Sequence, residues 1–333
     1  MKNNIKIIAS ILCMLFIACP IHIPPSPSSS DKAAWYISDA PGSDLPSSTL
    51  QFESGDINKV IAHIKQHKAR VGAGYKAIIV VSGTLKAKTP INKSMISINS
   101  PGNNDFPPIV LRGDEKTGGV LDAEGKMRIL YISGADVTLA EGLVLKNGNS
   151  AIVNDSFGGG VLVWGGSFTM TGGSIENCYA VNGGGIATSK ISNVGGSGTI
   201  PRNYNKVSMS GGTISACTIQ DNCNGAGIYI ASDIGEPDDE LYISGSALIT
   251  ENKVGGNTGS GGGVYLSGKL IMTGGEITAN EASQAGGGLY IVAWTGKAEL
   301  NAPAKITGNT ANQDANVYVG TNASFINNGA VIN

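Results

Sequence analysis

Short apolar runs of three or four residues alternate with glycine clusters and polar corners through the second half of the chain. Residues 270–291, LIMTGGEITANEASQAGGGLYI, are the plainest case: three apolar runs are separated by Gly-Gly, a polar corner and Gly-Gly-Gly. The pattern returns from Phe168, from Val207 and from Leu241, and more faintly from Ala298. A period of two within the runs predicts strands, with Ile228/Ile230, Val264/Leu266, Leu289/Ile291 and Val317/Val319 facing inward. A strand-and-turn repeat this short cannot bury its apolar side alone, so it must stack on its neighbours.

The last glycine of each triplet, or its equivalent, falls at Gly160, Gly185, Gly227, Gly263 and Gly288, in steps of 25, 42, 36 and 25. The two steps of 25 define the tight coil. Both longer steps are expected to leave one corner on adjacent coils, at residues 188–206 and 231–240, because the Gly-Gly to triplet distance stays near constant. Ahead of these coils, residues 56–70 predict one amphipathic helix, with Ile57, Val60, Ile61 and Ile64 on one face and Asp56 as N-cap. Its basic other face (Lys59, His63, Lys65, His67, Lys68, Arg70) reads as solvated, and the helix as a lid on the first coil. From Ala77 onward short strands follow one another between Gly, Pro, Asn and Asp clusters.

A helix, then a strand ending V-x-G, then V-T-L-x-x-G-L-x-L-x-N-G over residues 137–148, resembles the opening coils of the pectin-lyase-like family. The GGG-[VIL] and I-x-x-N repeats (261–264 with 249–252, and 286–289 with 277–280) are similar to those of chlamydial polymorphic outer-membrane proteins. The third Gly stands where that family has Ala, and Ile where it has Phe. These resemblances imply an all-β, right-handed parallel β-helix with one N-terminal capping helix. The expected division is a cap with the first coils over 33–136 and Gly-rich repeat coils over 137–333.

The N-terminus carries export chemistry. Lys2 and Lys6 precede an apolar run of residues 7–17 that is too short to span a bilayer, which needs roughly 20 residues. The run ends Leu15-Phe16-Ile17-Ala18-Cys19, which resembles a bacterial lipobox and implies cleavage after residue 18 with lipidation of Cys19. Residues 19–32, rich in Pro and Ser, then form an extended tether. The expected location is the outer membrane or cell surface, with the membrane touched through the lipid alone.

Composition narrows the partners. A hydrophobic fraction of 41% with 48 glycines and no G-X-Y period excludes both disorder and collagen. A net charge of −2 argues against a nucleic-acid partner.

Stacking puts equivalent residues about 4.8 Å apart, so chemistry is sought in columns. One outward column reads Leu162, Ala187, Tyr229, Tyr265, Tyr290 and Tyr318; Trp164 and Trp294 share its parity if their strands run on. The tyrosines and tryptophans are candidate partner-binding residues for a host or envelope glycoprotein or glycan, against a purely structural stacking role. A second column, Asn252, Asn280 and Asn309, predicts an amide ladder. Cys178 and Cys217 take the same position on earlier coils, either as a disulfide or as two buried thiols. The corner insertions carry opposite charges, Lys190, Arg202 and Lys206 against Asp233, Glu236, Asp238, Asp239 and Glu240, and are expected to dock on each other. A calcium site in the acidic insertion is the weaker reading, since it lacks a spaced ligand pattern.

Catalysis has little to work with. The alternative reading, a pectate-lyase or polygalacturonase-like polysaccharide degrader, implies N-T-D, D-D, G-H-G and R-I-K signatures, of which only Asp238-Asp239 occurs. His22, His63 and His67 all precede the coils, so no imidazole reaches them as acid or base. The reading is therefore a non-enzymatic, exported, lipid-anchored β-helix protein, a surface adhesin or interaction scaffold, with no catalytic residues, metal or cofactor.

Overall fold

The computed structural model describes residues 32–37, 52–68, 76–88, 90–91, 93–100, 105–189, 205–232 and 238–333. The signal segment, Cys19 and nearly all of the tether lie outside them, as do Lys190, Arg202, Asp233 and Glu236.

The coils form a parallel β-helix. Each coil contributes one strand to each of two long sheets and one to an eight-stranded sheet, and every neighbouring pair in that third sheet is parallel. The two long sheets meet in the strand Ala77–Lys86, whose first half pairs with Ile109–Gly113 and second half with Gly119–Asp122. A three-stranded sheet, Tyr179–Ala180, Thr218–Ile219 and Lys253–Val254, fills one corner over a small second apolar cluster.

Period two fixes what goes inside. Ile228, Ile230, Val264, Leu266, Leu289 and Ile291 have no exposed surface and join one continuous core. Each such side chain contributes about 1.5–3 kcal/mol by leaving water. Val319, expected inward, is 41% exposed because no further coil among the described residues covers its strand.

The glycine triplet is required by close approach. In Gly261-Gly262-Gly263 the first residue has φ +70°, which side-chain-bearing residues rarely adopt. At the third, a Cβ would stand 2.6 Å from the Gly288 carbonyl oxygen.

The helix is shorter than its apolar pattern suggests, Ile57–Gln66, and Asp56 caps it by accepting from the Asn58 amide at 3.1 Å. Its four apolar residues join the main core, and Asn58 Nδ2 donates to the Met95 carbonyl at 2.7 Å, so the helix does close the first coil. The strand Lys32–Ile37 runs antiparallel to Ala77–Lys86 and covers that sheet edge as well.

Both insertions leave the corner between the eight-stranded sheet and the first long sheet: 189–205 after Ile186–Thr188, and 231–239 after Ile228–Ile230. Part of the extra length lies elsewhere, since nine positions separate Asn252 from Gly261 against six from Asn280 to Gly286.

Candidate functional site

The outward tyrosine column is in register, Tyr229 opposite Tyr265, Tyr265 opposite Tyr290 and Tyr290 opposite Tyr318. Its rings stack nearly parallel, with centroids 5.2, 5.2 and 4.6 Å apart and planes within 8°. Phe157 tilts over Tyr229 at 5.8 Å and ends the stack on that side. Such pairs stabilise by roughly 0.5–1.5 kcal/mol beyond their buried area.

Stacking changes what the column offers. Each inner ring has both faces covered by its neighbours, so the strip turns ring edges and hydroxyls to solvent, not faces. A sugar ring needs an aromatic face. The column therefore suits hydrogen bonding along a line of phenols.

Burial, and then the neighbouring phenols of Tyr229 and Tyr290, push the Tyr265 hydroxyl up to about 12; Tyr290 is raised by burial and then by the Tyr318 phenol. The neutral form is thus favoured in the folded state. The resulting stability is complete below the unfolded value of about 10 and is lost as pH rises through about 12. Titration followed at 295 nm should show phenols that ionise late, with the melting temperature falling over that window. Ionisation of every tyrosine near pH 10 would contradict the stacked, half-buried column.

Trp164 keeps the outward parity, at the end of Val161–Trp164 and opposite Ser133. Trp294 does not. Its strand stops at Ile291, and Trp294 sits in a turn with φ +68° and 69% of its surface exposed, off the column. Tyr131, opposite Leu162, also belongs to the column, although its strand precedes the glycine triplets that mark the repeat in the sequence.

Beyond the Phe157 end of the tyrosine stack the same face holds a groove of about 570 Å³. Leu162, opposite Tyr131 and two residues before Trp164 on the same strand, lines it with both, and Phe157 and Asn154 come from the connection that follows residue 148. That connection turns through Ala151–Val153 and Asn154, whose φ is +53°. Arg128, only 1% exposed, fixes it: Nε donates to the Gly158 carbonyl at 2.8 Å and Nη2 to the Phe157 carbonyl at 2.6 Å, while Asp155 pairs at 2.9 Å. Burial pulls the Arg128 pKa down and the Asp155 carboxylate pulls it back up. The ion pair is a clamp on the groove wall, and removing one partner would strand the other charge.

The asparagine column is complete. Asn252 Nδ2 donates to Asn280 Oδ1 at 2.9 Å, Asn280 Nδ2 to Asn309 Oδ1 at 3.0 Å, and Asn309 Nδ2 to Asn316 Oδ1 at 2.9 Å. At its other end Asn252 Oδ1 accepts from the Cys217 amide at 3.0 Å. Cys178 and Cys217 are brought together on successive coils, both fully buried, and stand as free thiols. Their hydrogens reach the carbonyls of Glu176 (3.3 Å) and Ser215 (3.4 Å). Burial and the neighbouring Cys217 push the Cys178 thiol well up, which keeps it protonated and unreactive.

Lys190, Arg202, Asp233 and Glu236 lie outside the described residues, and at their described bases the corner insertions are joined by buried hydrogen bonds. Asp239 is fully buried and accepts from Asn205 N and Nδ2, both at 2.8 Å, and so ties the base of one insertion to the base of the other. Asp238 instead pairs with Lys297 at 2.7 Å, and Lys206 lies over the Tyr242 ring at 4.7 Å. The Asp238-Asp239 dipeptide is thus divided between a surface ion pair and a buried hydrogen bond. Among the described residues no group of three His, Cys, Asp or Glu is placed to hold a metal ion.

No protein-family model, curated protein or solved structure matches the chain.

Proposed function

We propose that the protein is a non-enzymatic surface scaffold, exported and lipid-anchored through Cys19, that binds a glycoprotein or glycan of the host or envelope. The pectin-lyase-like and polymorphic-membrane-protein resemblances of its repeats fit a surface β-helix of this kind. The observation that carries the reading is the outer face of the eight-stranded sheet, where a registered line of tyrosines runs into an aromatic-walled groove. Aromatic residues held rigidly on a sheet bind with little loss of side-chain freedom. The phenol line supports a hydrogen-bonded protein contact, and the groove supports a compact ligand.

The test is binding of the chain from residue 19 onward to a panel of extracellular-matrix proteins and glycans. Tyr265→Phe with Tyr290→Phe keeps the stack and removes two hydroxyls, so binding along the line should weaken by tenfold or more with an unchanged melting temperature. Unaltered binding would remove the tyrosines from the site. The anchor is checked separately: the full chain should partition into detergent and Cys19→Ala should not.

A further inference from the structure

We infer that the outer face of the helix Ile57–Gln66 docks on anionic phospholipid headgroups and stands the coils upright on the membrane that holds the lipid anchor. The inference deepens the anchored reading and rests on it, adding a contact of the folded chain to that of the lipid. Three observations carry it.

The first is the uneven charge along the chain. Residues 32–100 hold nine Lys and Arg against four Asp and Glu, a net +5, whereas residues 101–333 hold twelve against twenty, a net −8. The small overall charge conceals this division. An anionic surface attracts one end of such a molecule and repels the rest.

The second is where the positive end lies. The helix closes the first coil, and the strand Lys32–Ile37, at which the tether arrives, packs beside it and covers the sheet edge at the same end. Thirteen residues from Cys19 to Lys32 reach at most about 45 Å, so the cap is the part of the fold held next to the anchor. The eight strands of the third sheet, ~4.8 Å apart, extend away from it over about 34 Å. That is about four Debye lengths at physiological salt, so with the cap down the far acidic coils are screened from the surface.

The third is the surface of the helix. Ile57, Val60, Ile61 and Ile64 are all buried, while Lys59 and Lys65 are exposed and Lys68 follows just beyond the end. The helix contains no Asp or Glu, and Asp56 ahead of it is engaged as the cap. Lys88 adds a charge beside its start, with Nζ donating to the Gly55 carbonyl at 3.2 Å. Asp105 pairs with Lys65 at 3.0 Å and offsets one charge. Because its apolar residues face the core, the helix has none to insert among acyl chains. The contact is therefore electrostatic and reversed by salt.

The test is flotation of the chain from residue 19 onward with vesicles of phosphatidylcholine, alone or with about 30% phosphatidylglycerol, at about 0.1 M salt. Each lysine near an anionic surface contributes about fivefold, so partition onto the mixed vesicles should be at least about tenfold stronger. Raising salt to about 0.5 M should remove the difference. Lys59→Gln, Lys65→Gln and Lys68→Gln together should abolish the preference, and Arg at the same three positions should keep it. Lys253→Gln, Lys297→Gln and Lys305→Gln remove equal charge from exposed sites on the coils and should not weaken it. Melting curves like the parent's would separate loss of charge from misfolding.

Equal binding to the two vesicles, a preference that survives the helix Gln variant, or one lost equally in the coil variant overturns the inference. Retention on duplex DNA under conditions that leave the mixed vesicles unbound also overturns it. Detergent partition of the full chain and of Cys19→Ala tests the anchor independently. An anchored chain without the preference refutes the docking alone. A preference without the anchor refutes the tether and leaves a peripheral lipid contact, and loss of both refutes both.

Discussion

Asn280→Ala should be among the most destabilising single changes in the protein, at about 3–5 kcal/mol, although it removes no charge and little apolar surface. The Asn280 side chain is 1% exposed and makes five hydrogen bonds. Its Oδ1 accepts from Asn252 N (3.0 Å) and Nδ2 (2.9 Å), and the two hydrogens of its Nδ2 are shared among three acceptors, Asn309 Oδ1 (3.0 Å) and the carbonyls of Ile249 (2.9 Å) and Thr278 (3.0 Å). Alanine leaves the Asn252 amide without its acceptor and two buried carbonyls short of a donor. Each orphaned buried group costs ~1–3 kcal/mol. Asn252 Nδ2 keeps the Ile214 carbonyl at 3.1 Å, which limits the loss. Chemical denaturation gives the magnitude, and hydrogen exchange should show protection lost between Ile249 and Asn309 before it is lost near the helix. A change below about 1 kcal/mol would mean that the amides satisfy water rather than one another.

Gly263→Ala should cost about 3 kcal/mol or more and act by overpacking rather than by an orphaned group. A methyl there meets the Gly288 carbonyl oxygen at 2.6 Å, Ile277 Cγ2 at 2.8 Å and Asn280 Nδ2 at 3.1 Å. The nearest contact is backbone of the next coil, which is itself stacked on Asn316, so no flexible side chain can yield. The same contact recurs down the column: Gly160 meets Gly185, Gly185 meets Gly227 and Gly227 meets Gly263, each at 2.5 Å. Circular dichroism and a melting curve read the outcome. A fully stable Gly263→Ala would contradict the closeness of the coils at this corner.

These two positions also mark how far the sequence carries. The parity of the strands, the recurrence of the third glycine and the asparagine column were legible because a stacked repeat lets each coil check the next. The helix was legible from Ile57, Val60, Ile61 and Ile64, and only its end was overrun. What depends on contacts across the column or through a turn was hidden. Parity puts Tyr265 and Tyr290 outside, but only the 5.2 Å stacking shows that their faces are spent on each other. The groove wall is set by Arg128 reaching a carbonyl 30 residues away, and nothing in the repeat pattern announces that contact. Trp294 left the column because its backbone enters a φ +68° turn. Asp239 looked like one more acid in a charged insertion, yet it is the buried bridge to Asn205.

The tyrosine line, the clamped groove and the separated Asp238-Asp239 pair all bear on one question, which is whether the outer surface binds or catalyses. Incubating the chain from residue 19 onward with the glycan panel and polyuronate, and measuring bound protein beside released reducing ends, answers it directly. The account predicts retention on a ligand of the panel with no release of reducing ends above buffer. Release that scales with protein and disappears in Asp238→Ala would contradict it.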